Sequence, residues 1–315
     1  MKLATLALLV VVAGGCGVDL TAQGMSRTPD GHPDFQGLWI NNTATPLERP
    51  RAHGDRTAFT EAEAKAYLER YQLDRTVAIS RDKAFELDAA GDLDTYDPGD
   101  LLPGRRNSLI TDPPSGALPP LTADAQRVVN DRAAHLNAHY ADNPEDLPNA
   151  ERCLVVGSAA VPPLLPAFYN NTLQIVQTPD YVVIVSEMVH EARIIPLARA
   201  AHLPPTLRRW TGDSIGRWDG DTLVVDTTNF TAQTSFRGTS AQLHLIERFS
   251  MTTPGALTYS FTVHDPAFTR SWTAESRMTV AEGLMYEYAC HEGNYSLANV
   301  LKGRRFAEKT VRPQG

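Results

Sequence analysis

The chain has 315 residues, of which 42% are hydrophobic, and its 37 acidic and 29 basic residues give a formal net charge of −8 at pH 7. That length and composition allow one substantial hydrophobic core, or a core with an attached lobe. The acidic balance argues against a nucleic-acid partner, because phosphate binding requires clustered lysine and arginine side chains.

The first residues have the pattern of an export signal. Lys2 precedes an apolar run over Leu3–Ala13, and the small residues Gly14-Gly15-Cys16 follow. The run is too short to span a bilayer, and no later segment has 18 consecutive apolar residues. We predict a leader over residues 1–22, cleaved near Ala22, or a lipoprotein that begins at Cys16. In both cases the protein acts outside the cytoplasm, in the periplasm, on the outer membrane or secreted, and a lipid at Cys16 is its membrane contact.

Residues 23–150 are rich in proline and predict an extended and helical segment that wraps around the rest of the chain. One short strand is predicted over Phe35–Ile40. Thr60 begins a helix, and Glu63 three residues later completes a capping box. A second helix covers Thr122 to about Tyr140, with the threonine as its N-cap.

From Thr172 onward the apolar residues recur with a period of two, which is typical of half-buried strands. The clearest hairpin joins Gly216–Trp218 to Asp221–Asp226 through Asp219-Gly220, because Asp-Gly favours a type I′ turn. The other predicted strands are Leu173–Gln177, Tyr181–Ser186, Val189–Leu197, Leu243–Ser250, Leu257–His264, Trp272–Val280 and Met285–His291.

This succession of strands and short turns predicts an antiparallel meander. A sheet with so many strands avoids exposed edges by closing into a barrel or by stacking as a sandwich. We therefore predict a mainly β fold, a lipocalin-like β-barrel over residues 151–305 that encloses a hollow, with a β-sandwich as the alternative. Residues 306–315 are predicted to form a tail.

Cys153 and Cys290 are the two cysteines outside the predicted leader. An oxidising compartment favours a disulfide between them. The closed loop is long, so the chain-entropy model gives such a bridge about 4–5 kcal/mol. The alternative is a nucleophilic Cys290 activated by His291, but neighbours in a strand point to opposite faces. We predict the disulfide.

The segment over residues 286–295 contains two carboxylates, an imidazole, a thiol and three phenols. Such groups cost energy when buried unpaired, so their density indicates a lined cavity. On a strand, Glu287 and His291 share one face. This arrangement predicts His291 as a catalytic base and Glu287 as the group that orients it. The simpler alternative is a cross-strand ion pair between Glu287 and Arg248.

An acid–base site also needs a group that stabilises negative charge on the substrate. Arg193 or Arg237 could hold an anionic or enolic oxygen. His190 and His202 are further candidates for the catalytic set.

Five of the nine histidines fall in the strand-rich half of the chain. The sequence has no HExxH spacing, so histidines that are only hydrogen-bonded are the default, and we predict no cofactor. A divalent metal is the alternative, held by histidines and glutamates from the set His190, His202, His244, His291, Glu187, Glu191, Glu287 and Glu292.

Aromatic side chains of this half predict a pocket for a small hydrophobic or aromatic molecule. Ordinary core packing is the simpler explanation for the same residues. The predicted substrate-binding residues are Trp210, Trp218, Arg237, His244 and Tyr288.

Several enzyme classes find no support in the sequence. Gly212-Asp213-Ser214-Ile215-Gly216 lacks the spacing of a nucleophile elbow, and no P-loop or dinucleotide fingerprint is present. We predict an exported enzyme that transfers protons on a fairly hydrophobic small molecule, of isomerase, lyase, hydratase or hydrolase type. The alternatives are a non-catalytic periplasmic ligand-binding barrel and a cell-envelope interaction protein.

The block Gln174–Arg304 resembles a widespread family of exported bacterial proteins that has no assigned activity. The resemblance implies export and relatedness, and it implies no mechanism. Arg199-Ala200-Ala201 departs from the Asp-Gly-Arg-Pro that the family has before His202. The motifs that carry the resemblance are Gln177-Thr178-Pro179-Asp180-Tyr181, His190-Glu191-Ala192-Arg193, Gly216-Arg217-Trp218, Gly220-Asp221-Thr222-Leu223-Val224-Val225-Asp226-Thr227-Thr228-Asn229-Phe230, Glu247-Arg248-Phe249 and the segment over residues 286–295.

Overall fold

The computed structural model describes residues 25–82, 99–155, 157–167 and 169–311. The predicted leader, with Cys16 and Ala22, lies outside the described residues. Within them, no helix combines the length and the apolarity needed to cross a bilayer.

Two long helices come before the continuous run of strands that starts at residue 172, and one follows the last strand. The predicted capping box is present at the first, where Thr60 Oγ1 accepts a hydrogen bond from the Glu63 backbone N–H at 3.2 Å and the Thr60 N–H donates to Glu63 Oε2 at 2.8 Å. Thr122 Oγ1 caps the second helix by accepting from the Ala125 N–H at 3.3 Å. The helices are α1 (Glu61–Asp82), α2 (Ala123–His139), α3 (Gly157–Ala160), α4 (Cys290–Gly293) and α5 (Tyr295–Val311).

Ten antiparallel strands form one sheet, with the order β5-β4-β3-β1-β10-β9-β8-β7-β6 and with β2 paired to β10. The predicted hairpin is confirmed, but its turn lies one residue later than predicted. Asp219 is the last residue of β6 and pairs with Thr222, so Gly220, with a φ of 59°, and Asp221 form the turn. The strands are β1 (Gly37–Ile40), β2 (Ile110–Asp112), β3 (Thr172–Gln177), β4 (Tyr181–Ser186), β5 (Ala192–Pro196), β6 (Asp213–Asp219), β7 (Thr222–Thr228), β8 (His244–Thr253), β9 (Ala256–His264) and β10 (Trp272–Val280).

The two ends of this order, β5 and β6, lie side by side, and we call their junction the seam. Arg193 Nε on β5 donates to Ser214 Oγ on β6 at 2.9 Å. A Cβ atom added to Gly216 on β6 would lie 2.8 Å from side-chain carbons of Ile195 and Leu197. The sheet therefore nearly closes on itself through side-chain contacts. The predicted mainly β fold with an antiparallel barrel is confirmed.

Packed side chains fill the barrel interior, so the predicted ligand-sized hollow is wrong. Phe249 on β8, Tyr259 and Phe261 on β9 and Trp272 on β10 are each at most 1% exposed. Neighbouring rings of this series have centroids 4.9, 5.7 and 5.6 Å apart. These aromatic side chains occupy the space that a ligand would need.

The predicted strand Met285–His291 is also wrong. The last barrel strand ends at Val280, and residues 290–293 form α4. β10 already pairs with β1 on one side and with β9 on the other. The following segment therefore has no free edge beside β10 to join.

The predicted strand Val189–Leu197 begins later in the structure. Residues 188–190 form a single 3-10 turn, in which Val189 and His190 have positive φ angles of 52° and 40°. β5 starts only at Ala192, so Glu191 lies at the junction between turn and strand.

Candidate functional site

The segment around Cys290 does not form the predicted acid–base pair. Glu287 and His291 are both exposed and belong to a loop and to α4, so the shared strand face on which the pair depends does not exist. No ion pair joins Glu287 to Arg248 in the described part of the chain. The disulfide between Cys153 and Cys290 is confirmed, which rules out a nucleophilic Cys290.

The four histidines of the predicted metal set do not converge. His190 Nδ1 contacts the Tyr288 carbonyl oxygen at 3.2 Å, and His291 lies on α4. His202 and His244 meet elsewhere, at Asp226. Among the described residues, no group of three or more histidine, cysteine, aspartate or glutamate side chains is arranged to hold a metal ion. The predicted metal set is therefore wrong.

Asp213 anchors His202 at the start of β6. Its Oδ2 accepts hydrogen bonds from Arg199 Nη2 at 2.6 Å, from the Leu203 N–H at 2.9 Å and from His202 Nδ1 at 3.0 Å. Burial alone would raise the pKa of Asp213, but these hydrogen bonds outweigh burial and hold the pKa below its ordinary value. Asp213 is thus a structural carboxylate that accepts three hydrogen bonds at Oδ2.

The second ring nitrogen of His202 continues this network along the barrel wall. His202 Nε2 lies 3.0 Å from Asp226 Oδ1, and His244 Nε2 lies 2.9 Å from the same oxygen. The predicted residues His202 and His244 are therefore brought together, but around one aspartate on the outer face of β7 and β8. This site is separate from the other predicted catalytic residues.

Arg193 holds the seam and does not bind a substrate oxygen. Its guanidinium is 6% exposed and donates to both carboxylate oxygens of Glu247, with 3.0 Å to Oε1. It also donates to Thr227 Oγ1 at 2.7 Å and to Ser214 Oγ at 2.9 Å. With its donors satisfied in this way, Arg193 cannot take the predicted role of an oxyanion holder without breaking the network.

Tyr259 completes this buried network from β9. Its hydroxyl donates to Glu247 Oε1 at 2.9 Å and accepts from the Leu164 N–H at 2.8 Å. Burial raises the pKa of Tyr259 well above its usual range, so the hydroxyl stays protonated and remains a donor.

The other predicted substrate-binding residues are spread over the molecule. Trp218 stacks on His32, with ring centroids 4.5 Å apart, and packs against the core, so its predicted role in binding is wrong. Arg237 is exposed in the loop between β7 and β8. Tyr288 packs against α3 and Met188 and lines a cavity of about 550 Å³ beside the disulfide.

Trp210 is the predicted binding residue that lines a cavity at the seam. This seam pocket has a volume of about 680 Å³ and lies between β5 and the loop that leads into β6. Arg193, Arg199 and Asp213 contribute to its wall but are already hydrogen-bonded as described above. Apart from Ser214, which accepts from Arg193, the polar and aromatic side chains that remain on the wall are those of Tyr181, Glu191, Arg208, Arg209, Trp210 and Thr211.

Glu191 is the ionisable carboxyl of the seam pocket that has no ion pair in the described residues. Thr211 Oγ1 lies 3.4 Å from Glu191 Oε1. Burial raises the pKa of Glu191 above its ordinary value, and this effect exceeds the opposing effects of Thr211 and His190. A half-buried carboxyl of this kind exchanges protons closer to neutral pH than an exposed one.

Two arginines supply positive charge to the same pocket. Arg208 Nη1 donates to the carbonyl oxygens of Phe230, at 3.0 Å, and Ala241. The backbone N–H of Arg209 donates to the Asn229 carbonyl oxygen at 2.9 Å, but its guanidinium has no hydrogen bond or ion pair within the described residues. Arg209 is therefore the cation that a ligand can reach.

The sequence carries a signal for this pocket. Arg208-Arg209-Trp210-Thr211 places two cations and an aromatic ring shortly before the predicted strand Gly216–Trp218 in an otherwise acidic chain. Glu191 was predicted only as a metal ligand. Local patterns do not show that β5, which follows Glu191, lies across the seam from β6.

Comparison with known proteins adds little to this picture. No family model matches the chain, and no curated protein matches it. Among solved structures, a crystal structure of a mutant of the fluorescent protein UnaG matches with 15% identity, a TM-score of 0.23, and coverage of 36% of this chain and 72% of that chain. A likeness at that level carries no argument, so the barrel assignment depends on the strand order itself.

Proposed function

We propose that the protein is an enzyme that transfers protons on an anionic organic molecule bound in the seam pocket, with Glu191 as its acid–base group. The observation that carries the proposal is the placement of Glu191. It is a half-buried carboxyl that forms no ion pair within the described residues, on the wall of a cavity that it shares with Arg209 and Trp210.

Glu191 has the properties of a general acid–base residue. Efficient proton transfer near neutral pH favours a carboxyl whose pKa is raised towards the working pH. Desolvation in the pocket supplies this shift. Thr211, 3.4 Å away, is placed to orient the carboxyl.

Arg209 and Trp210 suggest what the substrate looks like. A guanidinium binds a carboxylate through two parallel hydrogen bonds, which is stronger and more directional than a neutral contact. Trp210 offers an apolar ring surface for the body of the same molecule. The substrate predicted from the sequence was fairly hydrophobic, and the pocket adds an anionic group to that description.

The reaction classes that fit are isomerisation and elimination next to a carboxylate. Glu191 takes a proton from the carbon beside the substrate carboxylate and returns it to another substrate atom. Arg209 stabilises the negative charge that develops on the carboxylate oxygens. No further reactant is needed for an isomerisation of this type.

A non-catalytic ligand carrier is the second candidate. The observation that favours it is that Arg193, Arg199 and Asp213, three other ionisable groups in the pocket wall, are already engaged in hydrogen bonds. Glu191 would then serve only as a hydrogen-bonding group for the ligand.

The two functions are separated by hydrogen–deuterium exchange on bound carboxylates. A panel of small hydroxy and unsaturated carboxylic acids is incubated with the protein in D₂O, and exchange at the carbon next to the carboxylate is followed by NMR. We expect Glu191→Gln to abolish exchange while binding persists, and Arg209→Ala to weaken binding by about tenfold. Glu282→Gln and Arg248→Ala, on exposed positions outside the pocket, are the matched controls.

The enzyme proposal fails if exchange continues unchanged in Glu191→Gln. Binding without any exchange in the wild type supports the carrier instead. Both proposals fail if no carboxylate in the panel binds in an Arg209-dependent manner. Export, predicted from residues 1–22, stays a prediction alongside them.

A further inference from the structure

Trp210 lines two cavities. One is the seam pocket. The other, of about 250 Å³, lies between Trp210 and the second half of α2. We call it the helix-side pocket. Its wall includes the charged residues Arg132, Glu145 and Arg152.

The arginines around Trp210 are available to a ligand. The guanidinium groups of Arg132 and Arg152 have no hydrogen bond or ion pair in the described part of the chain, and the same holds for Arg209 on the seam side. His135, which also lines the helix-side pocket, is paired with Asp146 at 2.9 Å. Glu145 and Glu191 are the acids of the two pockets that face these three cations.

The two pockets share Trp210 and carry these three guanidinium groups on their walls. Glu145 and Glu191 lie on the same walls, but within the described residues neither forms an ion pair with an arginine, so each guanidinium can bind an anion. A ligand that fills both pockets would then carry negative charge at two places, one in each pocket.

We infer that the two pockets bind successive units of an acidic oligosaccharide of the uronate type, which passes over Trp210. This inference depends on the proposed function, because the seam pocket is the reacting end of the same groove. Each uronate unit carries one carboxylate, which suits a guanidinium in each pocket. Each unit also has a flat C–H face that packs on an indole ring.

The chemistry of a uronate also agrees with Glu191 as the acid–base group. In a uronate the carboxylate stands next to a ring carbon that carries a hydrogen. When Arg209 binds the carboxylate, this ring carbon is the one from which Glu191 is proposed to take a proton. Uronate units further along the oligosaccharide would contact Arg132 and Arg152 and contribute only to binding.

The test is the dependence of affinity on oligosaccharide length. Binding of galacturonate and of its dimer, trimer and tetramer to the full chain is measured by calorimetry at low and at physiological salt. We expect at least about a tenfold gain in affinity between the monomer and the shortest oligomer that reaches the helix-side pocket, since each charge-assisted contact adds about that factor. Neutral galactose oligomers of the same lengths should not bind.

Variants separate the two pockets. Arg152→Ala should weaken binding of the tetramer by about tenfold and leave the monomer unaffected, whereas Arg209→Ala should weaken both. Arg248→Ala is the control for a general loss of positive charge. Thermal melting of each variant checks that the fold is retained, which we expect because Arg152 is only half-buried and Arg209 is exposed.

Equal affinity of monomer and tetramer, or an Arg152→Ala variant that binds the tetramer normally, overturns the inference. In that case, Arg209-dependent monomer binding would leave the proposed function standing. Glu191-dependent exchange on another carboxylate, with no uronate binding, likewise overturns only the inference. A single-stranded oligonucleotide that binds as tightly as the tetramer also overturns it, because the groove would then select charge alone.

Discussion

Glu247→Gln tests whether the buried ion pair holds the seam of the barrel. Glu247 is fully buried and accepts hydrogen bonds from Arg193 and from the Tyr259 hydroxyl. Glutamine keeps the size of the side chain but leaves the Arg193 guanidinium buried without a counter-charge. Breaking a buried pair in this way costs about 3–5 kcal/mol. We expect the free energy of unfolding to fall by that amount.

The measurement is urea unfolding, followed by far-UV circular dichroism, at pH 7 and pH 5. Asp221→Asn is the control, because it breaks the Arg27–Asp221 pair, whose side chains are 46% and 55% exposed. A solvent-exposed pair is screened by water and contributes little. We expect only a small change in the control.

Arg193→Met makes the test sharper, because it leaves the opposite charge buried. A carboxylate without its cation can take up a proton, whereas a guanidinium stays charged at every relevant pH. The cost of Arg193→Met should therefore fall between pH 7 and pH 5, and the cost of Glu247→Gln should not. The reasoning is refuted if Glu247→Gln costs no more than Asp221→Asn, or if the two buried variants respond to pH in the same way.

Three further predictions concern the seam pocket, the disulfide and the seam itself. The pKa of Glu191 is raised above its ordinary 4.5 in the folded protein, so its ionised form destabilises the fold once the pH exceeds the folded pKa. Glu191→Gln should melt at a higher temperature than wild type at pH 8 and at the same temperature at pH 3, and a difference that is equal at both pH values contradicts this. Reduction of the Cys153–Cys290 disulfide should expose residues 285–311 to proteolysis while the barrel stays folded, because the last barrel strand ends at residue 280. Proteolysis of the barrel and of residues 285–311 at the same rate contradicts this prediction. Gly216→Ala should cost about 1–3 kcal/mol in urea unfolding, because its Cβ would lie 2.8 Å from Ile195 and Leu197. Gly303→Ala, which meets nothing within 4 Å, is the matched control.

Local sequence patterns predicted the elements whose cause is local. The Thr60 capping box and the hairpin at Gly220 depend on residues that are three apart or adjacent, and both are present, although the turn lies at Gly220-Asp221, one residue later than predicted. The disulfide was predicted from compartment and cysteine count rather than from geometry. The prediction of a strand over Met285–His291 is wrong because an alternating pattern does not show whether β10 has a free edge for another strand to pair with.

The site was harder to predict than the fold, because its groups meet across the closure of the barrel. The sequence predicts Arg193 to hold a substrate oxygen, whereas in the structure it pairs with Glu247, 54 residues away on β8, and strand parity does not reveal that contact. Glu191 and Arg209 share a pocket only because β5 and β6, at opposite ends of the strand order, meet at the seam.

The seam contains both the buried ion pair that stabilises the barrel and the pocket that we propose binds a ligand. No backbone pairing joins β5 to β6 within the described residues, so half of their amide groups face the seam without a strand partner. The buried Arg193–Glu247 pair replaces that missing pairing on the inside, whereas the seam pocket opens the same junction to solvent on the outside. We therefore expect amide hydrogens of β5 and β6 to exchange faster than those of β8 and β9, and a carboxylate bound at Arg209 to slow exchange selectively in β5 and β6. Hydrogen exchange read by mass spectrometry, with and without ligand, checks both. Equal protection of all four strands in the free protein would show that the seam is not the weak junction on which the site depends.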